Sequence, residues 1–104
     1  MKLTILREAE LESAEAAAWY DDQRTGLGDE FLSEVSQAIA DIGSDPQSFS
    51  RLESYTGPYE LRRSVLHRFP YLIAFACRPD ETLVVAITHV RRRPLYWLER
   101  LGTA

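Results

Sequence analysis

The 104 residues are enough for one domain with a single hydrophobic core, and a composition of 45% apolar and 27% charged residues is ordinary for a globular protein. One cysteine excludes an internal disulfide. No signal peptide and no apolar run near the roughly 20 residues of a membrane span is visible, which predicts a cytoplasmic protein. The net charge of −4 divides into −8 over residues 1–50 and +4 over residues 51–104. The basic half could bind an anionic or acidic partner, although the acidic half is equally well explained as solvated helix surface.

The N-terminal half predicts a short strand followed by two helices. The strand covers Lys2 to Leu6, and the first helix runs from Glu8 to about Gln23, before Gly26 and Gly28 interrupt the pattern. Acidic residues at positions 8, 10 and 12 lie in its first turn, where the helix dipole favours negative charge. Apolar residues spaced by three and four predict its buried stripe, which consists of Leu11, Ala14, Ala18 and Trp19.

The second helix has the clearer periodicity and is expected to end before Gly43. Its apolar positions are Leu27, Phe31, Val35, Ala38, Ile39 and Ile42. Because only a short link joins the two helices, we expect an antiparallel helical hairpin on one face of a sheet, against residues such as Ile73 and Phe75. Residues 44–59 have no period and predict a long loop. Three side chains are expected to hold that loop to the core: Phe49, Leu52 and Tyr55.

Three further segments predict an antiparallel meander. Glu60 to Arg68 alternates polar and apolar residues, and Leu83 to Val90 is rich in β-branched residues. Between them, Phe69 to Cys77 is almost continuously apolar, which is typical of a strand buried on both faces. After the meander, Pro94 to Leu101 could form one or two helical turns. The sequence therefore predicts a single α+β domain over residues 1–104.

Basic and aromatic residues gather in the sheet half and are the candidates for function. They are Arg62, Arg63 and Arg68 on or beside the first meander strand, and His89, Arg91, Arg92, Arg93, Tyr96 and Trp97 at the end of the last. Arginine binds phosphate and aromatic rings stack on bases, so this set could bind RNA. An imidazole beside arginines could also act as acid or base in phosphodiester cleavage. No glycine-rich phosphate loop and no Cys/His metal spacing is present, so we expect no cofactor and no metal.

The same residues also have structural explanations. An arginine triplet at a strand end can be a solvated surface, or a set of ion-pair partners for the acidic helices. Tyr96 and Trp97 can equally cover the open edge of the core. From the residue pattern alone these alternatives stay open.

Six short segments of the chain occur in an informative order and spacing. They are Ala17-Ala18-Trp19-Tyr20, Gly26 to Leu32, Asp45-Pro46, Leu61-Arg62-Arg63, Arg68 to Tyr71, and His89 to Pro94. Together they resemble the RelE/ParE superfamily of bacterial type II toxins, over nearly the whole chain from Leu3 to about Leu98. The resemblance implies a β-α-α-β-β-β fold with a mainly antiparallel sheet and the C-terminal segment beside the active face. It also implies a plasmid-stabilisation type of toxin that arrests growth and is neutralised by a cognate antitoxin.

The superfamily divides by target. Members that cut mRNA on the ribosome use basic residues on the sheet and a C-terminal tyrosine, so in that branch the catalytic residues would be His89, Arg92 and Tyr96. Cutting members often have an arginine where Leu72 follows Tyr71 here, and this difference favours the ParE-like branch, which inhibits DNA gyrase by binding. In that branch the target-binding residues would be Arg62, Arg63, Arg91, Arg92, Arg93 and Trp97. A third possibility is an inactive toxin-like module that only binds a partner.

Overall fold

The computed structural model describes residues 2–102, which form four strands and three α-helices in an α+β arrangement. In chain order they are β1 (Lys2–Ile5), α1 (Arg7–Gln23), α2 (Leu27–Ser44), β2 (Leu61–Val65), β3 (Tyr71–Cys77), β4 (Glu81–His89) and α3 (Glu99–Gly102). A single 3-10 turn at Pro46–Ser48 interrupts the otherwise irregular segment between α2 and β2. No helix among these residues is long and apolar enough to cross a membrane.

The sheet has the strand order β1-β4-β3-β2, and β2, β3 and β4 pair antiparallel as the predicted meander. The N-terminal strand β1 pairs parallel with β4, which makes β4 a central strand and β2 an edge. The strands of the meander are offset from their predicted limits: β2 ends at Val65, β3 begins at Tyr71, and β4 begins at Glu81 and ends at His89. The mainly antiparallel sheet is therefore confirmed, with shifted strand ends.

The helical hairpin packs on one face of the sheet, as predicted. Phe31, Val35 and Ile42 of α2 are buried in one cluster with Ile73 and Phe75 of β3. These α2 positions follow the predicted periodicity, so the apolar face of this helix is confirmed. The helix continues through residue 43 to Ser44, so the expectation that it would end before the glycine is wrong.

The predicted buried stripe of α1 is wrong. Leu11 and Trp19 are 50% and 58% exposed, and Ala14 and Ala18 are exposed as well. The buried side of α1 is instead formed by small residues: Ala9, Ser13, Ala16 and Ala17. Small side chains let the helix backbone lie close to both the sheet and α2, and this close approach decides the orientation of α1 more than the size of its apolar residues.

Gly28 sets the distance between the two helices near their connecting turn. A Cβ atom at this position would collide with the backbone oxygen of Ala17 and with the side chain of Asp21. The Gly28 N–H also donates a hydrogen bond to Asp21 Oδ1 at 2.7 Å, which satisfies one of the free N–H groups at the start of α2. Only glycine fits this contact between α1 and α2.

A pair of glycine substitutions tests this close contact. Gly28→Ala is expected to lower the free energy of unfolding by about 1–3 kcal/mol, because the new methyl group must push the helices apart. Gly43→Ala is the matched control within the same helix, since its Cβ would lie at an ordinary 3.5 Å from Leu3. That change should stabilise by about 0.5–1 kcal/mol through helix propensity. Chemical denaturation of both variants measures the difference, and equal effects would contradict the packing argument.

The opposite face of the sheet is covered by irregular chain. The segment between α2 and β2 contributes Leu52 and Tyr55, and the C-terminal segment contributes Trp97 and Leu101. Consequently β3 and β4 are buried on both faces, which the apolar run of β3 predicted. The C-terminal segment is helical only at Glu99–Gly102, and turns precede that helix, so the helix expected from position 94 is largely absent.

Candidate functional site

The predicted basic group lies where β4 ends, at the centre of the sheet. His89 is the last residue of β4, and Arg91, Arg92 and Arg93 follow in an exposed turn. The turn is held by two hydrogen bonds to His89, from the Arg92 N–H to its carbonyl oxygen (3.1 Å) and from the Arg91 N–H to its Nδ1 (3.0 Å). Because Nδ1 accepts this bond, the proton of the neutral imidazole is on Nε2, which is free to act as a donor.

A β-bulge in β4 provides a backbone acceptor for the C-terminal segment. Ala86 pairs with Ala74 and Val84 pairs with Phe75, so Val85 is left without a partner residue on β3. Its carbonyl oxygen accepts a hydrogen bond from Arg100 Nη1 at 2.9 Å. The bulge thus gives the C-terminal segment a backbone acceptor just beyond the point where β1 stops pairing with β4.

A carboxylate from α1 joins this bulge to the C-terminal segment. Glu12 accepts two hydrogen bonds of 3.0 Å from the guanidinium of Arg100, and its Oε1 also accepts from the Ile87 N–H at 3.1 Å. The Tyr96 hydroxyl donates to Glu12 Oε2, and Arg92 Nη1 lies 3.9 Å from the same oxygen. We call Glu12, Arg92, Tyr96 and Arg100 the Glu12 network.

The central ion pair of the Glu12 network is shielded from water. The side chains of Glu12 and Arg100 are only 14% and 16% exposed. The hydrogen bonds to Glu12 raise the pKa of Arg100 further above its usual value, so its guanidinium stays charged in the folded protein. Such a bidentate guanidinium–carboxylate contact fixes the C-terminal segment relative to α1.

Tyr96 is held between two arginines and one carboxylate. The guanidinium of Arg92 lies 3.9 Å from its ring centroid, a stacking arrangement, and that of Arg100 lies 5.3 Å away. Burial, followed by the contact with Glu12, raises the pKa of the Tyr96 hydroxyl. The hydroxyl therefore stays protonated at neutral pH and acts as a donor to Glu12.

An open cleft of about 270 Å³ separates α1 from the end of β4. Trp19 and Glu15 line it from α1, and Tyr71, His89 and Arg92 line it from the sheet side. The rings of Tyr71 and His89 meet edge to face at 5.4 Å, and burial raises the pKa of Tyr71. Of the predicted site residues, His89 and Arg92 therefore line the same cleft.

Arg62 and Arg63 lie on the edge strand β2, which β3 separates from β4. The guanidinium of Arg62 donates to Glu60 Oε2 (2.9 Å), to Gln47 Oε1 (3.1 Å) and to the carbonyl oxygen of Phe49. Its side chain is largely buried and joins the irregular segment to the sheet. Arg63 is half-buried. The structure therefore does not bring these two arginines together with the group at the end of β4.

Trp97 is a core residue. It is 3% exposed and packs with Leu61, Ala76 and Leu101 on the face of the sheet opposite α1 and α2. In this conformation the ring is not accessible to a target. Of the predicted site residues, His89, Arg91, Arg92 and Arg93 remain at the surface, and Tyr96 is half-buried beneath Arg92.

Two residues of the Glu12 network were not singled out by the sequence, Arg100 and Glu12. As one of three acids in the first turns of α1, it resembled a simple partner of the helix dipole. The signal in the sequence was the charge division of the chain, which allowed ion pairs between the acidic helices and the C-terminal arginines. Within residues 2–102 there is no cluster of three or more His, Cys, Asp or Glu side chains that could hold a metal ion.

Comparison with known proteins gives a structural match. No protein-family model matches the sequence, and no curated protein matches it. The fold is similar to that of a chain in the solved structure described as "Chromosomal ParDE TA system from P. aeruginosa", with a TM-score of 0.69 at 15% sequence identity. The similarity covers 86% of this chain and 95% of that chain. The chain therefore has the RelE/ParE-like fold that its short segments predicted.

Proposed function

We propose that this chain is the toxin of a bacterial type II toxin–antitoxin system, and that a cognate antitoxin protein neutralises it. The observation that carries the proposal is the shared fold with a chain of a ParDE toxin–antitoxin structure, over 86% of this chain. The ordered sequence segments from Leu3 to about Leu98 support the same assignment. A small domain of this fold offers little interior space, so its activity must reside on surface side chains.

The favoured mechanism is inhibition of DNA gyrase by binding, without catalysis. The state of Tyr96 supports this choice over ribonuclease chemistry. Its hydroxyl already donates to Glu12, and its raised pKa keeps it protonated, so the side chain has a structural partner instead of a free catalytic role. Leu72 after Tyr71, in place of the arginine of many cutting members, points the same way.

Under this mechanism the target contacts are made mainly by the Arg91–Arg93 turn. All three residues are exposed, and within residues 2–102 neither Arg91 nor Arg93 forms an ion pair. Exposed arginines are frequent energetic centres of protein interfaces. Arg62 and Trp97, which are engaged inside the fold, would support the target-binding surface indirectly, and Arg63 would contribute at most from the sheet edge.

Ribosome-dependent cleavage of mRNA is the second candidate, because His89 and Arg92 line one cleft. As the imidazolium, a form in which Nδ1 no longer accepts from the Arg91 N–H, His89 could protonate a leaving oxygen through Nε2. Arg92 could stabilise the charge on a phosphate in the transition state. His89→Gln should then lower the rate of RNA cleavage at least about 100-fold while target binding persists, as loss of a general acid does. Under the binding mechanism the same change should reduce toxicity only in proportion to affinity.

The test is expression of the full chain in bacteria, together with assays of purified protein in gyrase supercoiling and ribosome-dependent mRNA cleavage. We expect growth arrest with inhibited supercoiling and intact mRNA. Simultaneous replacement of Arg91, Arg92 and Arg93 by alanine should weaken inhibition at least about thirtyfold, since the loss of even one arginine hot spot costs about 2 kcal/mol or more.

The matched control removes three positive charges elsewhere, at Arg7, Arg51 and Arg78. These residues lie outside the site. The ion pairs of Arg51 with Glu60 and of Arg78 with Glu81 are partly exposed and contribute little. The control should inhibit like the unmodified chain. Cleaved mRNA with normal supercoiling would establish the ribonuclease instead, and normal growth with neither effect would favour a binding module and overturn the toxin assignment.

A further inference from the structure

A groove of about 410 Å³ lies between α2 and the edge strand β2, away from the Arg91–Arg93 turn. One wall is the polar face of α2 and the other is the end of β2 with the connection that follows it. Its lining includes two carboxylates, Glu34 and Asp41, and one guanidinium, Arg63, together with Ser64, Val65, Leu66 and His67. The groove is open to solvent along its length, and none of the candidate site residues at the end of β4 contributes to it.

The free edge of β2 is only partly covered by the protein itself. In an antiparallel pair, alternate residues direct their backbone groups away from the partner strand, and in β2 these are Leu61, Arg63 and Val65. The irregular segment covers the first two: the Leu52 N–H donates to the Leu61 carbonyl and the Arg63 N–H donates to the Ser50 carbonyl, both at 3.0 Å. Beyond Arg63, the irregular segment forms no further backbone hydrogen bond with the edge of β2 within residues 2–102.

Val65 is the next outward-facing residue along β2 and borders the groove. Its N–H and carbonyl oxygen have no hydrogen-bond partner among residues 2–102, and its side chain is half-exposed. An uncovered edge position of this kind can accept another strand. The groove between Val65 and α2 leaves room for the side chains of such a strand.

The opposite wall supplies negative charge. Glu34 Oε2 accepts hydrogen bonds from the N–H groups of His67 and Arg68, which fixes the connection between β2 and β3. Its second oxygen, Oε1, is buried and has no hydrogen-bond partner within the described part of the chain. Asp41 lies two turns further along α2 and lines the same groove. Because Oε1 is buried, a cation from a partner would act on Glu34 through the charge of its carboxylate, whereas the exposed carboxylate of Asp41 can be contacted directly.

We propose that this groove binds an extended segment of a partner protein, which pairs with Val65 as an added strand and places a lysine or arginine next to Glu34. The backbone pairing provides binding, and the carboxylates of Glu34 and Asp41 select a basic segment over an acidic one. The site is separate from the Arg91–Arg93 turn and from the Glu12 network, and it shares only Arg63 with the predicted target-binding residues.

Titration of the full chain, isotopically labelled, with a defined peptide tests the proposal. The probe is a capped heptapeptide of sequence TVTRTVT, and the charge-reversed peptide TVTETVT is its control. Amide shifts in NMR spectra should cluster at Val65 and its neighbours on β2 and α2. The basic peptide should bind at least tenfold more tightly than the acidic one.

Two variants separate backbone pairing from charge. Val65→Pro removes only the outward N–H, because Ser64 and Leu66 carry the bonds to β3, and proline is tolerated at such edge positions. Val65→Thr keeps that N–H and serves as its matched control. Glu34→Gln removes the charge and keeps an acceptor for the His67 N–H. Val65→Pro should weaken binding of the basic peptide at least tenfold, Glu34→Gln about tenfold, and Val65→Thr by less than threefold.

Several results would overturn this site. They are no binding of either peptide at millimolar concentration, equal binding of both, shifts that cluster outside the groove, and equal binding by Val65→Pro and Val65→Thr. Sedimentation over a range of concentrations tests whether a second copy of this chain pairs with the β2 edge instead. A dimer that Val65→Pro abolishes would assign the edge to a second copy of this chain and not to a basic segment.

Discussion

Replacement of Glu12 by alanine is expected to lower the free energy of unfolding by about 3–5 kcal/mol, as loss of one member of a buried ion pair does. The change leaves the largely buried guanidinium of Arg100 without its carboxylate. It also removes the acceptor for the Ile87 N–H and for the Tyr96 hydroxyl. Since these groups belong to β4 and to the C-terminal segment, the loss should be seen both in chemical denaturation and in the near-ultraviolet circular dichroism of Tyr96 and Trp97.

Glu15→Ala is the matched control, because this residue lies one turn further along α1 and is exposed. It should change the free energy of unfolding by less than about 0.5 kcal/mol, as surface substitutions usually do. Glu12→Gln should fall between the two, at about 1.5–3 kcal/mol, since an amide still accepts one hydrogen bond but carries no charge for Arg100. Equal stability of Glu12→Ala and Glu15→Ala would show that the Glu12 network does not hold the C-terminal segment.

The Glu12 network shows why this part of the site could not be predicted from the sequence. Glu8, Glu10 and Glu12 are equivalent as acidic residues near a helix N-terminus. Only the tertiary structure distinguishes them, because β4 and the C-terminal segment meet at Glu12. There it pairs with Arg100, which lies 88 residues later in the chain. Contacts of such sequence separation have no local periodicity from which to infer them.

The error in α1 has a different cause. The prediction weighed the large apolar residues Leu11 and Trp19, whereas the helix buries its small ones. Burial of a large side chain is favourable only where the neighbouring backbone leaves room for it. Gly28 on α2 brings the two helices so close that only small side chains fit between them. The same glycine appeared in the sequence as a helix interruption, and its packing role could be seen only in the structure.

The sheet was predictable because its signals are local. The run from Phe69 to Cys77 is apolar on both alternations, and the structure places covering layers on both faces of β3. The second layer itself is irregular chain, for which no periodic pattern exists. Its buried Trp97 could therefore be interpreted equally as a surface anchor or as core, and the structure places it in the core.

Phe31→Ala is the second substitution with a large expected effect, a loss of about 3–5 kcal/mol in the free energy of unfolding. Phe31 has no exposed surface and lies between the hairpin and the sheet. Its ring centroid is 5.4 Å from that of Tyr20, 5.2 Å from Phe69 and 5.1 Å from Tyr71, so one ring joins α1, α2 and the start of β3. Alanine would leave a cavity at the meeting point of all three.

The adjacent Leu32 provides the control for Phe31. It is 38% exposed on the same helix, so Leu32→Ala removes a similar amount of side chain from a position with little packing and should cost less than about 1 kcal/mol. Because Tyr71 also lines the cleft beside His89, the cavity in Phe31→Ala should loosen the Tyr71 ring and increase its ring-flip rate in NMR spectra. A loss below about 1 kcal/mol for Phe31→Ala, equal to that of the control, would mean that the helical hairpin is not packed on the sheet through this residue.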